Sequence, residues 1–226
     1  MNLDSKKQNN KISVIVCAYN QGKWLSKCLK TLINQKKIFK KDYEIILVND
    51  ASKDSIDKII KNFEHIKYIK YINNKINLGL PSSINKAIEK SKAKYIVRVD
   101  ADDFVDLNFL QLARDFLNNT EKYQAVAVDY FKVNEKNLII RKHNCKKQEI
   151  ACGIMFVKKS LYEIGLYNEK FKMREGHELK KRFLKKFKIG RIPLALYNYR
   201  QHQNNRTKNL KELELYDSLI KKIKKN

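Results

Sequence analysis

Tyr95-Ile96-Val97-Arg98-Val99-Asp100-Ala101-Asp102-Asp103 sets three carboxylates within four positions directly behind an apolar run. The run reads as a buried strand, and the acids fall where it ends. In an open α/β sheet the carboxyl ends of the strands are where ligands bind. Three acids so close together repel one another unless positive charge sits among them. A hard divalent cation such as Mg²⁺ or Mn²⁺, itself holding a diphosphate, answers that need. The same acids also suit a solvated turn that caps a helix. The rest of the chain decides between the two.

Upstream, Ile12–Ala18 reads as a fully buried strand broken by Tyr19-Asn20-Gln21-Gly22, and Lys23–Gln35 then carries Trp24, Leu25, Cys28, Leu29 and Leu32 on one helical face. Tyr43–Val48 is a second strand, ended by Asn49-Asp50-Ala51-Ser52-Lys53-Asp54. A helix from Ser55 to about Phe63, a strand at Ile66–Ile72 and a helix from Leu80 to about Ser91 complete the approach to Tyr95. This β-α-β-α-β-α-β order argues for a parallel sheet covered by helices on both faces. Tyr19-Asn20, Asn49-Asp50 and Asp100–Asp103 each follow a strand, so they converge on one sheet edge. Downstream the pattern is less regular. It gives a helix at Asn108–Leu117 and strands at Ala125–Val133, Leu138–Arg141 and Gly153–Val157. A helix at Ser160–Ile164, a basic helix at Arg174–Lys186 and a strand at Leu194–Tyr199 follow. Leu210–Ile223 closes the chain as an amphipathic helix with Leu210, Leu213, Tyr216, Leu219, Ile220 and Ile223 near one face.

A length of 226 residues suits one domain with an appendage, and 43% hydrophobic content is enough for a sizeable core. Six Gly and two Pro leave little room for flexible linkers. The net charge of +25 favours polyanionic partners, although a Lys-, Asn- and Ile-rich chain also follows from AT-rich coding. Residues 172–226 hold 17 Lys/Arg against 5 Asp/Glu. The four Cys match no zinc spacing and read as reduced thiols. Met1–Asn10 is a polar tail rather than a signal segment, and no apolar run reaches the ~18 residues of a membrane span. The expectation is a cytoplasmic protein, at most peripheral at the inner face of a membrane.

Several segments occur in a telling order: Val14–Asn20, Ile46–Asp54, Asn77-Leu78-Gly79 with Asn85, Val99–Asp103, Cys152–Phe156 with Ile164–Tyr167, Arg174–Leu179, and Tyr199-Arg200-Gln201-His202. Together they resemble the family 2 glycosyltransferases with the A-type fold, over about residues 11–207. The resemblance implies a single Rossmann-like, mostly parallel sheet flanked by helices. It divides the chain into a tail (1–10), a transferase domain (11–207) and a basic amphipathic C-terminal helix (208–226). Within the domain, 11–106 would form the nucleotide-sugar half and 107–207 the acceptor half.

It also implies roles. Asp50 would accept hydrogen bonds from the base of the nucleotide, and Ala18 and Tyr19 would wall that base. Asp100 would contact the ribose. Asn20, Asn77, Asn85 and Ala101 would line the same donor cleft. Asp102 would hold a Mn²⁺ or Mg²⁺ ion that bridges the two phosphates, with His202 as a second ligand, imidazole suiting Mn²⁺ better. Arg200 and Arg206 are alternative partners for phosphate. Asp103 would meet donor-sugar hydroxyls or cap the next helix. The base that takes the acceptor proton is usually the Asp of a late Glu-Asp pair; here the pair reads Glu175-Gly176. Glu175, Glu178 and His177 are the candidates, Glu175 first. Charge pairing within a basic helix is the other use for Glu175 and Glu178.

The implied function is inverting, metal-assisted transfer of a sugar from a nucleotide-diphosphate donor to a glycan, lipid-linked or protein acceptor. The basic tail suits an anionic membrane surface. Gly176 keeps open a donor-binding relative that catalyses weakly or serves as a scaffold. A nucleic-acid-binding protein would explain the charge, but the strand-end acids would repel its phosphates. A sugar nucleotidyltransferase would need a Gly-rich basic loop after the first strand, and Tyr19–Lys23 offers one Gly and one Lys.

Overall fold

β-Branched runs buried on both sides form the middle of the sheet. The computed structural model describes residues 11–223, so the polar segment 1–10 and the last three residues of the C-terminal segment lie outside it. Strands β1 (Ile12–Ala18), β2 (Tyr43–Asn49), β3 (Ile69–Asn73) and β4 (Tyr95–Arg98) are parallel, in spatial order β3-β2-β1-β4. Successive residues of β1 face opposite sides. Val14 and Val16 join one core with Leu25, Leu29 and Leu32 of helix α1 (Gly22–Ile33). Ile15 joins the other with Ile84 and Ile88 of helix α3 (Leu80–Lys90). Helix α2 (Ile56–Lys61) covers the first face through Ile56 and Ile60. The expected βα repeat is therefore present, with a helix layer on each side.

The second half extends the same sheet. Strand β5 (Phe104–Val105) and helix α4 (Phe109–Asn118) follow β4. Then come β6 (Ala125–Val133), β7 (Ile139–His143), β8 (Ile154–Val157), helix α5 (Lys158–Glu163), helix α6 (Glu175–Lys186) and β9 (Ile189–Arg200). β8 pairs antiparallel with β4 and β6, and β6 pairs parallel with β9. β5 pairs antiparallel with β9 at the end of the path β4-β8-β6-β9-β5. Sequence reading begins the last strand after Pro193, whereas β9 runs through it. The ladder absorbs Pro193 by a register shift: Ile192 sits opposite Val128 and Ala195 opposite Asp129. The two-residue β5 carries no periodic signal of its own in the sequence.

The consequence for the site is positional. β1, β2 and β4 end on one edge, and β9, pinned to β6 and β5, ends beside them. Residues 18–20, 49–54, 100–103 and 200–202 thus share one edge of the sheet. Helix α7 (Leu210–Lys222) packs Tyr216 against Phe171 and pairs Asp217 with Arg174 at 2.8 Å. Its half-buried face is Leu213, Tyr216 and Ile220, while Leu210 and Leu219 point outward. No helix among the described residues is long and apolar enough to cross a membrane.

Candidate functional site

The turn after β4 is organised by Arg98, a cation inside an otherwise apolar strand. Arg98 is buried and makes a forked contact with Asp100 (Nε–Oδ1 2.5 Å, Nη2–Oδ2 3.0 Å). Its third nitrogen donates to Glu175 Oε1 at 2.6 Å. One guanidinium thus ties the strand-end acids to the start of α6, and removing it would leave two poorly solvated carboxylates facing each other. Asp103 points inward instead. It accepts from Tyr197 Oη at 2.7 Å and from the Arg200 backbone N–H at 2.8 Å. Burial, reinforced by the charges of Asp102 and Asp100, pushes its carboxyl well up. Asp103 therefore joins the β4 turn to β9 and offers no free edge to sugar hydroxyls.

Asp102 turns the other way and meets His202, Nε2 to Oδ2, at 2.9 Å across a hundred residues of chain. His202 is held from behind. Its backbone N–H donates to Asn205 Oδ1, Asn205 Nδ2 donates to Arg200 O, and its ring lies 5.5 Å from that of Trp24. Arg200 donates through Nε to Asp102 O at 2.7 Å, with its guanidinium 4.4 Å from the Trp24 ring. The expected metal pair is thus brought together. One carboxylate and one imidazole, leaving the remaining positions to phosphate and water, fit Mg²⁺ or Mn²⁺, with the imidazole favouring Mn²⁺. Asp100, Asp103 and Cys152 also place ligand atoms within 4.8 Å of one another. That trio fits a hard cation poorly. Asp103 is already satisfied, Asp100 is forked on Arg98, and burial holds the Cys152 thiol well above its usual range.

Asp50, at the end of β2, anchors the 74–79 loop. The buried carboxylate accepts from Asn74 Nδ2 (2.8 Å), Leu78 N (2.9 Å) and Gly79 N (2.9 Å), three of roughly four acceptor positions. Asn77 Nδ2 donates to Asp50 O at 3.2 Å. Asn49 makes an Asx-turn onto Ser52, its Oδ1 accepting the Ser52 N–H at 2.9 Å. Asn20, at positive φ, locks the loops after β1 and β2 together. Its N–H donates to Ser52 Oγ and its Oδ1 accepts from Lys53 N. Ala18 and Ala101 are buried, and Tyr19 stands 46% exposed at the rim, open to stacking. Asn85 is not with these. Its side chain clamps residue 167, donating to Tyr167 O and accepting from Tyr167 N, and donates to Glu169 Oε1.

The start of α6 separates the three base candidates. Glu175, through Arg98, belongs to the strand-edge cluster. Burial would raise its pKa, but the Arg98 charge and hydrogen bond outweigh that and hold it below the usual carboxylate range. Glu178 is buried on the other side, both oxygens taken by Arg182 at 2.6 and 2.7 Å. It forms the i,i+4 ion pair of a basic helix, the other use the sequence offers for it. His177 leans on Arg174 (3.3 Å), and burial, with the Arg174 charge, lowers its pKa. Among the described residues no hydrogen bond or ion pair joins its side chain to Asp100, Asp102 or Glu175.

Gly176 has a steric cause. A Cβ there would lie 2.4 Å from Ala151 Cβ and 3.1 Å from its Cα. Gly176→Asp is therefore expected to destabilise the chain by about 1–3 kcal/mol through overpacking. Ala151→Gly in the same chain should recover part of the loss in thermal melts. An unchanged midpoint for Gly176→Asp would show that the 146–152 loop moves away freely.

The glycosyl transferase family 2 sequence model matches residues 13–186. The chain is 34% identical over 129 residues to "Glycosyltransferase GlyA" of Streptococcus pneumoniae, covering 56% of this chain and 18% of that protein. It is 38% identical over 97 residues to "Poly(ribitol-phosphate) beta-glucosyltransferase" of Bacillus spizizenii, covering 42% of this chain and 15% of that one. The chain thus spans less than a fifth of the length of these two relatives. Among solved structures, S. aureus TarS 1–349 in complex with UDP superposes with a TM-score of 0.75 at 19% identity, covering 93% of this chain and 64% of that one. The mannosyltransferase PcManGT of Pyrobaculum calidifontis, in complex with GDP-Man and Mn²⁺, gives a TM-score of 0.69 at 14% identity, covering 86% and 58%. At such identities the two structures speak for the A-type fold, while the family model covers most of the chain, from β1 through α6 with the turns after β1, β2 and β4: this chain belongs to glycosyl transferase family 2.

Proposed function

We propose that the chain transfers a glycosyl group, with inversion, from a nucleoside-diphosphate sugar to a hydroxyl of a glycan, lipid-linked or protein acceptor. The observation that carries the reading is the meeting of Asp102 and His202 at the strand edge, backed by Arg200 and Trp24. Asp102 and His202 would hold the Mn²⁺ or Mg²⁺. Bound there, such an ion supplies positive charge to the diphosphate leaving group. Tyr19 offers an exposed ring to the base, and the Asp50-anchored loop fixes the backbone at 77–79 beside it. Asp100 faces the ribose with its geometry set by Arg98. Glu175, ionised and tied to the same Arg98, takes the proton from the acceptor hydroxyl. Neighbours of the same fold have been solved with UDP, UDP-GlcNAc and GDP-Man, which supports the donor class without choosing a base. The acceptor lies at the cytoplasmic face of an anionic membrane, in keeping with the net charge of +25.

Ala151 packed on Gly176 favours a second reading, a donor-binding chain with little transfer activity. Calorimetric titration with UDP, GDP, TDP and CDP, each with Mn²⁺ and with EDTA, tests what both readings share. Metal-dependent binding of one nucleotide is expected. Binding of none would remove both readings.

A further inference from the structure

The β6–β7 hairpin exposes three consecutive apolar residues that no packing in the chain explains. Leu138, Ile139 and Ile140 are 62%, 60% and 59% exposed. Successive strand residues point to opposite faces, so this ribbon is apolar on both sides and cannot be covered by one layer laid on one face of the sheet. Among the described residues β7 pairs only with β6. Runs of exposed apolar residues on an edge strand are normally selected against unless they serve contact. Charge indicates what the contact is. From residue 130 to 148 the chain carries six Lys/Arg, namely Lys132, Lys136, Arg141, Lys142, Lys146 and Lys147, against one acid, Glu135. Glu135 is itself paired with Lys23 at 2.8 Å. Apolar side chains flanked along the hairpin by cations match the interface of an anionic bilayer, where acyl chains lie beneath negative headgroups.

We infer that the tip of this hairpin, Leu138-Ile139-Ile140 with Arg141 and Lys142, is a membrane-docking element for an anionic lipid bilayer. The turn is built to keep its shape. Asn134 Oδ1 accepts from the N–H groups of Lys136 and Leu138, and Asn134 N donates to Leu138 O at 3.0 Å. It is also fastened to the candidate site. Arg200 donates to Glu135 O at 3.3 Å and to Asn137 Oδ1 at 2.8 Å while its Nε holds Asp102 O. Docking there sets the strand edge at a fixed distance from the lipid surface. The inference gives the proposed membrane contact a place other than the C-terminal helix, and it does not depend on the transfer reaction.

The test is sedimentation of the purified chain with vesicles of phosphatidylcholine alone and with about one third phosphatidylglycerol. Wild type is expected to sediment with the anionic vesicles only. Leu138→Thr/Ile139→Thr/Ile140→Thr should weaken that partitioning at least about tenfold. Leu215→Asn/Leu219→Asn in α7 should leave it unchanged. A second reading uses Ile139→Trp, since Trp24 is the single native tryptophan. Its emission should shift to the blue on adding anionic vesicles. Equal binding of the triple variant, no binding by wild type, or no blue shift overturns the proposal. So does a lipid-free dimer of wild type that the triple variant lacks, because the ribbon then covers itself with a second copy.

Discussion

Asp102→Ala is expected to abolish metal-dependent nucleotide binding, a loss of at least about a hundredfold, while the protein stays folded. Its carboxylate contacts only the His202 ring among the hydrogen bonds of the site, and the Arg200 contact is made by the Asp102 backbone oxygen. Truncation therefore costs one partly exposed hydrogen bond, about 1 kcal/mol of stability. Its neighbour differs in kind. Asp103 is buried on Tyr197 and Arg200, so changing it would disturb the join between β4 and β9 and confuse function with folding. Calorimetry with Mn²⁺ and with EDTA, beside a thermal melt, reads both consequences. Wild-type, EDTA-sensitive affinity in Asp102→Ala would refute the metal assignment.

Glu175→Gln is expected to lower the transfer rate by about 10²–10⁴-fold with nucleotide affinity preserved. Glutamine keeps an acceptor oxygen for Arg98 Nη1, so the buried guanidinium retains a partner and Asp100 its forked contact. What is lost is the basic form that takes a proton. The pH profile carries the same signature. Burial opposes ionisation of Glu175, but Arg98 prevails and its pKa falls below the usual carboxylate range. A base must be deprotonated, so kcat should hold steady as pH falls through the ordinary glutamate range and decline only below it. A rate that declines near neutral pH would transfer the role to a histidine. Unchanged turnover in Glu175→Gln would leave the Gly176 start of α6 without a carboxylate base and favour the non-catalytic reading.

The parts of this account that sequence made legible are those governed by local pattern. Buried β-branched runs placed β1, β2 and β4, and helical spacing placed α1 and α3. Asp102 and His202 lie a hundred residues apart, and only the resemblance to a known family joined them before their 2.9 Å contact was seen. Arg98 was hidden because a single cation inside Tyr95–Val99 does not disturb a hydrophobic period, although an Arg two residues before a strand-end Asp was available as a signal. The loop-anchoring contacts of Asp50 are hidden from sequence for a related reason. A strand-end acid looks the same whether its donors come from a ligand or from the backbone of a loop 28 residues away. For Glu178 the i,i+4 spacing to Arg182 was visible, and the charge-pairing reading describes it. The clash that fixes Gly176 depends on Ala151 arriving from a separate loop, which no local rule contains.

The central claim is that Asp102 and His202 together hold the cation that meets the diphosphate. Electron paramagnetic resonance of Mn²⁺ bound to the chain with its preferred nucleoside diphosphate addresses it directly. The account predicts a histidine nitrogen coupling to Mn²⁺ in the wild type that disappears in His202→Gln. A nucleotide-bound Mn²⁺ signal without nitrogen coupling, or a coupling that persists in His202→Gln, would contradict it.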